Sequence, residues 1–199
     1  GGAMTTAQKT AALVLVELRA NDPEATSALQ VARARLAAGS ALASLRRFRL
    51  FELKGELPSR DELEARMHHS TQFWNPSKER GTLLGEGSAG PFGAGEVVLL
   101  VTERGGERGP AAERWWRHDG GARIEVREGV VWAMRWEDGV ADEGRAESLA
   151  VTTSSETGLL CNPHAQDWRL LAAGEALPAD WISRRSATRT VRARKGSGS

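Results

Sequence analysis

The chain has 199 residues and a mass of 21.5 kDa, is 40% apolar and 27% charged, and carries 27 basic against 26 acidic side chains for a net charge of +1. That balance fits one ordinary domain or two small ones and excludes a charge-driven disordered chain. No apolar run reaches the ~18 residues of a membrane span, and a lone Cys161 excludes an internal disulfide framework or a multi-cysteine zinc site.

Gly1 to Ala3 ahead of Met4, and Gly196 to Ser199, read as cloning remnants. No apolar segment followed by a cleavage site comes after Met4, so the expected location is cytoplasmic. Ala11 to Leu18 is apolar and branched, the pattern of a buried strand. Asp22-Pro23-Glu24 then supplies an N-cap, a first-turn proline and an acid at the positive end of a helix dipole. Ala25, Ala28, Leu29, Ala32 and Leu36 share one face of that helix, and Gly39 is placed to end it in a left-handed cap.

Leu42 to Lys54 alternates as a strand does, with a break expected near Arg46-Arg47. Ser59 to Glu62 is a capping box, predicting a helix from Arg60 to about His69. Asn75-Pro76 turns the chain, and Arg80 to Leu84 forms a short strand. The order is β-α-β-β-α-β. Residues 85–95 are glycine-rich and contain Pro91, which marks a linker. Gly85, Gly87 and Gly90 match G-x-G-x-x-G, but no helix follows to face a pyrophosphate, so the match is read as linker composition.

The second half repeats the order. Glu96 to Val101 is a strand and Pro110 to His118 a short helix. Ala122 to Arg127 and Val130 to Glu137 are strands around a Glu128-Gly129 turn. A weaker helix runs from Glu143 to about Val151, and residues 158–171 end in a strand. Asn75-Pro76 and Asn162-Pro163 lie 87 positions apart, as do Leu83-Leu84 and Leu170-Leu171; Arg19 and Arg104 are separated by 85, Gly55 and Gly139 by 84. Offsets this steady over several elements predict a duplication.

The expected fold class is therefore α+β: tandem ferredoxin-like units whose antiparallel sheets are packed or joined together. Residues 5–84 form the first repeat, 85–95 the linker, 96–171 the second, and 172–199 an extension ending in a disordered basic tail. A single unit of ~75 residues has a marginal core. Pairing two units hides the second sheet face and guards the strand edges. Trp132, Met134 and Trp136 alternate along one strand and are expected to pack in the core.

Two segments carry a family resemblance. Ser44 to Leu53 (SLRRFRLFEL) is similar to the D-V-R-x-G-K-x-x-E-L segment of PurS, the small subunit of formylglycinamide ribonucleotide amidotransferase, with Arg46, Arg49, Glu52 and Leu53 in the matching places. Leu159 to Trp168 (LLCNPHAQDW) resembles that family's L-L-A-N-P-x-x-E-D-Y, as does 73–80 more distantly. Phe48 replaces a family glycine, the second half has Glu125 to Gly129 in place of R-x-G-K, and the family's single units dimerise where this chain would be a fused pair. The resemblance implies a β-α-β-β-α-β fold and a non-catalytic role bridging synthetase and glutaminase subunits during ammonia transfer. It makes Arg46, Arg49, Glu52, Asn75, Asn162 and Trp168 candidate partner-binding residues, with no cofactor.

The alternative is a nucleic-acid binder. Arg184, Arg185, Arg189, Arg192, Arg194 and Lys195 form an acid-free tail suited to phosphates, and paired ferredoxin-like domains occur in RNA-binding proteins of bacterial CRISPR systems. Against it, the body balances to −5 and no aromatic interleaves with the arginines. A third reading is a small-molecule enzyme with its site between the repeats. Cys161 and His164 are separated by Asn162-Pro163, a poor geometry for a nucleophile pair. His68 and His69 point apart on a helix, and His118 reads as a helix end. No catalytic or metal-ligating set is expected.

Overall fold

The computed structural model describes residues 10–85, 87–104, 107–120, 124–178 and 180–182. Strand β1 (Thr10–Leu18) leads to α1 (Pro23–Arg35), a 3-10 turn (Ala37–Gly39), β2 (Leu42–Gly55), α2 (Arg60–His68) and β3 (Glu79–Leu83). The second half runs through β4 (Val97–Glu103), the two-residue β5 (Glu107–Arg108), α3 (Pro110–Gly120), β6 (Ile124–Trp136), α4 (Glu143–Ala150) and β7 (Gln166–Ala172). The protein is α+β. Six strands lie in the order β3-β1-β2-β6-β4-β7, every neighbouring pair antiparallel, and β5 pairs with β6 beside them. None of the described helices is long and apolar enough to cross a membrane.

Local chemistry sets the helix starts. Asp22 Oδ1 accepts from the N–H of Glu24 and Ala25, and Ser59 Oγ accepts from Glu62, satisfying donors that the first turn leaves orphaned. The end of α1 departs from expectation. The helix stops at Arg35, Leu36 is extended, and Gly39 does not have a positive φ. Glycine is required there for close approach: a Cβ at Gly39 would lie 2.2 Å from the Ala32 carbonyl oxygen.

The larger departure is in the middle of each half. Neither expected strand pair forms a hairpin. β2 is one 14-residue strand through Arg46-Arg47, and β6 one 13-residue strand through Glu128-Gly129. They pair with each other from Leu42↔Trp136 to Gly55↔Ile124. Gly129 sits inside this ladder opposite Leu50, with Leu100 and Thr102 close on the far side. The β2 ladder through Leu50, with β4 pairing the next residue, Val130, holds it extended. The two halves are thus joined edge to edge as one sheet, not stacked face to face.

The registers of the halves correspond. Val14 pairs with Phe51 and Leu83, and Leu99 pairs with Trp132 and Leu170. The Asn-Pro turns match bond for bond. Asn75 and Asn162 each accept two backbone N–H groups on the carbonyl and one on the side chain, and each donates its own N–H to the side chain four residues on, Glu79 or Gln166. Arg19 Nε bonds the Pro76 carbonyl, and Arg104 Nη2 the Pro163 carbonyl.

Because β2 and β6 run through both halves, the helices cross over. Ala25, Ala32 and Leu36 of the α1 region pack with Val97, Leu99, Trp132, Met134 and Trp136 beside α4. Ala112 and Trp116 of α3 pack with Val14, Val16, Phe51 and Leu53 beside α2. Each half's first helix therefore covers the other half's first strand. Trp132, Met134 and Trp136 lie in the core, as their alternation suggests. The opposite sheet face (Leu13, Leu15, Phe48, Leu50, Val98, Leu100, Val131, Ala133) is covered by Leu84 just after β3, by Phe92 from the linker and by Leu177, Trp181 and Ile182 beyond β7.

One pair of corresponding positions trades ring for space. In the first half Trp74 is buried and a Cβ at Gly81 would lie 2.6 Å from its ring. The corresponding second-half residues, 87 positions on, are Cys161 and Trp168. Gly81→Ala should cost about 1–3 kcal/mol, since the core must shift to admit it. The double replacement Trp74→Cys with Gly81→Trp should cost less than the sum of the single changes, measured by denaturant unfolding of all four proteins.

Candidate functional site

The groups that could meet a partner are the sheet's two outer strands and the turns that launch them. β3 is five residues long, and Arg60 Nη2 caps its Leu83 carbonyl at 2.8 Å. β7 is seven residues long and mostly half-buried, with Trp168 and Leu170 packed on the helix-side core. Among the described residues, no strand pairs with the outer side of β3 or β7. Ala173 N–H bonds the Glu96 carbonyl inward at 2.9 Å. Antiparallel alternation then directs the N–H of Leu170 and Ala172 outward.

The expected partner-binding residues do not gather into one patch. Arg46 grips Glu96 with two bonds, Nε to Oε1 at 3.1 Å and Nη2 to Oε2 at 2.7 Å, and also bonds the Pro91 carbonyl. Glu96 is 4% exposed and accepts the Gly93 N–H as well. A buried carboxylate is tolerable only when paired and hydrogen-bonded in this way. Arg46 thereby fastens the linker to the sheet, helped by the edge-on contact of Phe48 with Phe92. Arg49, on the other face of β2, bonds the Phe73 carbonyl and Glu79 Oε1. Glu52 is buried, accepts the Ile182 N–H on Oε2 and has Lys54 at 3.6 Å.

Asn75 and Asn162 hold the two equivalent turns. Trp168, on edge strand β7, pairs with Val101. Of the residues the resemblance singles out, Arg49 and Asn75 meet on Glu79, and Arg46, Arg49 and Glu52 are engaged inside the chain. Glu96 was not singled out in the sequence, because an acid before an apolar strand looks like a solvated end. Its signal is the burial of its partner strand. The six basic residues from Arg184 to Lys195 lie outside the described residues.

Cys161 is 3% exposed. Burial, then the charges of Asp167 and Glu103, push its thiol up from 9.0 to about 11. Such a thiol is protonated at neutral pH and a poor nucleophile. His164 N–H is held by Asn162 Oδ1 in the turn. No group of three or more His, Cys, Asp or Glu able to hold a metal occurs among the described residues. The position between the halves is taken by the β2–β6 ladder.

Comparison with protein-family models, curated proteins and solved structures finds no match for this chain.

The raised thiol has a measurable sign. The unfolded thiol ionises near 9.0 and the folded one near 11, so the folded state loses stability as pH rises through that window. The wild type should lose stability relative to Cys161→Ala between those values, and Cys161 should resist alkylation at neutral pH until the chain is unfolded. Equal pH profiles for the two proteins, or rapid native alkylation, would contradict the burial argument.

Proposed function

We propose that the chain is a pair of ferredoxin-like lobes, arisen by duplication, that have exchanged their first helix and second strand within one sheet. Each lobe then has the strand content of a β-α-β-β-α-β unit, with one strand and one helix supplied by its sibling. The matching registers and the matching Asn-Pro turns support this reading.

On that fold the protein serves as a non-catalytic bridging subunit of a larger assembly. The narrower form is the one the PurS resemblance implies, joining a synthetase to a glutaminase for ammonia transfer in purine synthesis. The observation that carries the bridging reading is the pair of edge strands, β3 and β7, at opposite ends of a single continuous sheet and without an outer partner strand among the described residues. An edge accepts a partner strand through backbone hydrogen bonds, and a sheet with two such edges can hold two partners at a fixed separation. β7 is the better acceptor, being seven residues long against the five of β3, whose last carbonyl Arg60 caps.

The test is reconstitution with purified synthetase and glutaminase subunits of a formylglycinamide ribonucleotide amidotransferase that lacks its small subunit. The expected result is a three-component particle by light scattering and recovery of glutamine-dependent activity. Ala172→Pro, which removes an outward N–H at the end of β7 while leaving the inward ladder, should weaken assembly about tenfold or more. Absence of any complex removes the amidotransferase role. Assembly unaffected by the proline removes the β7 edge as its basis.

A further inference from the structure

The helix after each half's first strand begins alike. Pro23 opens α1 and Pro110 opens α3, 87 positions on. In each, an N–H three residues later (Thr26, Glu113) bonds the carbonyl just before the proline (Asp22, Gly109), at 2.9 and 3.0 Å. Ala25 and Ala112 are correspondingly buried. The same spacing matches Ala28 to Trp115 and Leu160 to Phe73, and the strand registers match Trp132 to Phe51.

In the α3-covered lobe those three positions make a chain of rings. Trp115 meets Phe73 edge-on at 6.0 Å between centroids, and Phe73 meets Phe51 at 5.3 Å. In the α1-covered lobe the corresponding Ala28, Leu160 and Trp132 line an open cavity of about 410 Å³ together with Pro23, Glu24, Ser27 and Leu159. An alanine methyl thus stands where the sibling lobe has an indole. The cavity is within the ~300–1,000 Å³ of small-ligand sites.

The rim carries Ser27 and the Glu24 carboxylate. Glu24 is 68% exposed and holds Arg47 through Oε2, while its Oε1 accepts no bond among the described residues. An aromatic ring bearing a hydrogen-bond donor complements an apolar floor with a carboxylate at the rim, and a tryptophan side chain has that chemistry. A free indole ring carries the same donor. Tryptophan is also, with tyrosine and arginine, among the residues enriched as interface anchors in such pockets.

We infer that this cavity is a docking pocket for a tryptophan side chain of a partner protein. The indole takes the place relative to Trp132 and Leu160 that Trp115 takes relative to Phe51 and Phe73, with its N–H toward Glu24. Assigning the ring to a partner protein rests on the assembly-subunit reading; the pocket's fit to an indole does not.

The test uses the isolated full chain with methyl-labelled leucines, titrated with N-acetyl-L-tryptophanamide and followed by NMR. Saturable shifts are expected at Leu159 and Leu160, and none at Leu63 or Leu83 in the sibling lobe. Ala28→Trp should raise the unfolding midpoint and abolish the shifts. Ala28→Leu, a smaller filling at the same position, should weaken binding several-fold if the first variant fails to fold. No saturable shift, or shifts that survive in the filled variants, would overturn the pocket. Free L-tryptophan binding ten times more tightly than the amide would overturn the side-chain assignment in favour of a free amino acid. No amidotransferase subunit is present, so failure of the reconstitution leaves this result standing on its own.

Discussion

The pairing of β2 with β6 is the constraint on which the rest of the molecule depends. A strand of 13 or 14 residues spans roughly 45 Å at ~3.3 Å per residue, too far to be covered by elements of its own half. Once two such strands pair along their length, the sheet has no boundary between halves. The helix between β1 and β2 must land where β2 begins, over the neighbouring half, and the helix before β6 must do the same in return. The crossed cores of α1 with α4 and α3 with α2 are a consequence of strand length.

The crossing also accounts for the uses of the polar residues. A continuous sheet has a back face that the helices cannot reach. It is covered by irregular chain from the linker and the segment beyond β7, whose backbone groups need partners. Arg46, Glu96 and Glu52 supply them, tying Pro91, Gly93 and Ile182 to the sheet. Arg49 does comparable work at the Asn75 turn by anchoring Glu79. These charges hold one chain together.

Much of the local structure was legible in the sequence. The caps at Asp22 and Ser59 and the turns at Asn75 and Asn162 depend on neighbours within a few residues. The repeat offsets depend only on counting; the 87-residue offset of Leu83 and Leu170 recurs in the strand registers, whereas Gly55 and Gly139 do not correspond, because the registers align Phe51 with Trp132 and hence Gly55 with Trp136. What was not legible depends on distant partners. Glu128-Gly129 is a good hairpin turn in isolation and becomes extended because β2 pairs with both residues and β5 with Glu128. Gly39 looked like a left-handed cap, but the Ala32 carbonyl decides its role. Arg46 was noticed for its resemblance, yet its partner Glu96 lies 50 residues away. The contrast of Ala28 with Trp115 needed a correspondence between helices that Pro23 and Pro110 offered and the other offsets did not bring out.

Interlocking of the halves is the claim most open to direct test. A protease site placed between Gly93 and Ala94, both exposed, allows the linker to be cut in the folded protein, and gel filtration with light scattering then weighs the product. If the lobes share strands and helices as described, the cut chain keeps the mass of the intact protein, 21.5 kDa, and comes apart only in denaturant, with neither fragment folded alone. Two independently folded fragments separating under native conditions would contradict the shared sheet.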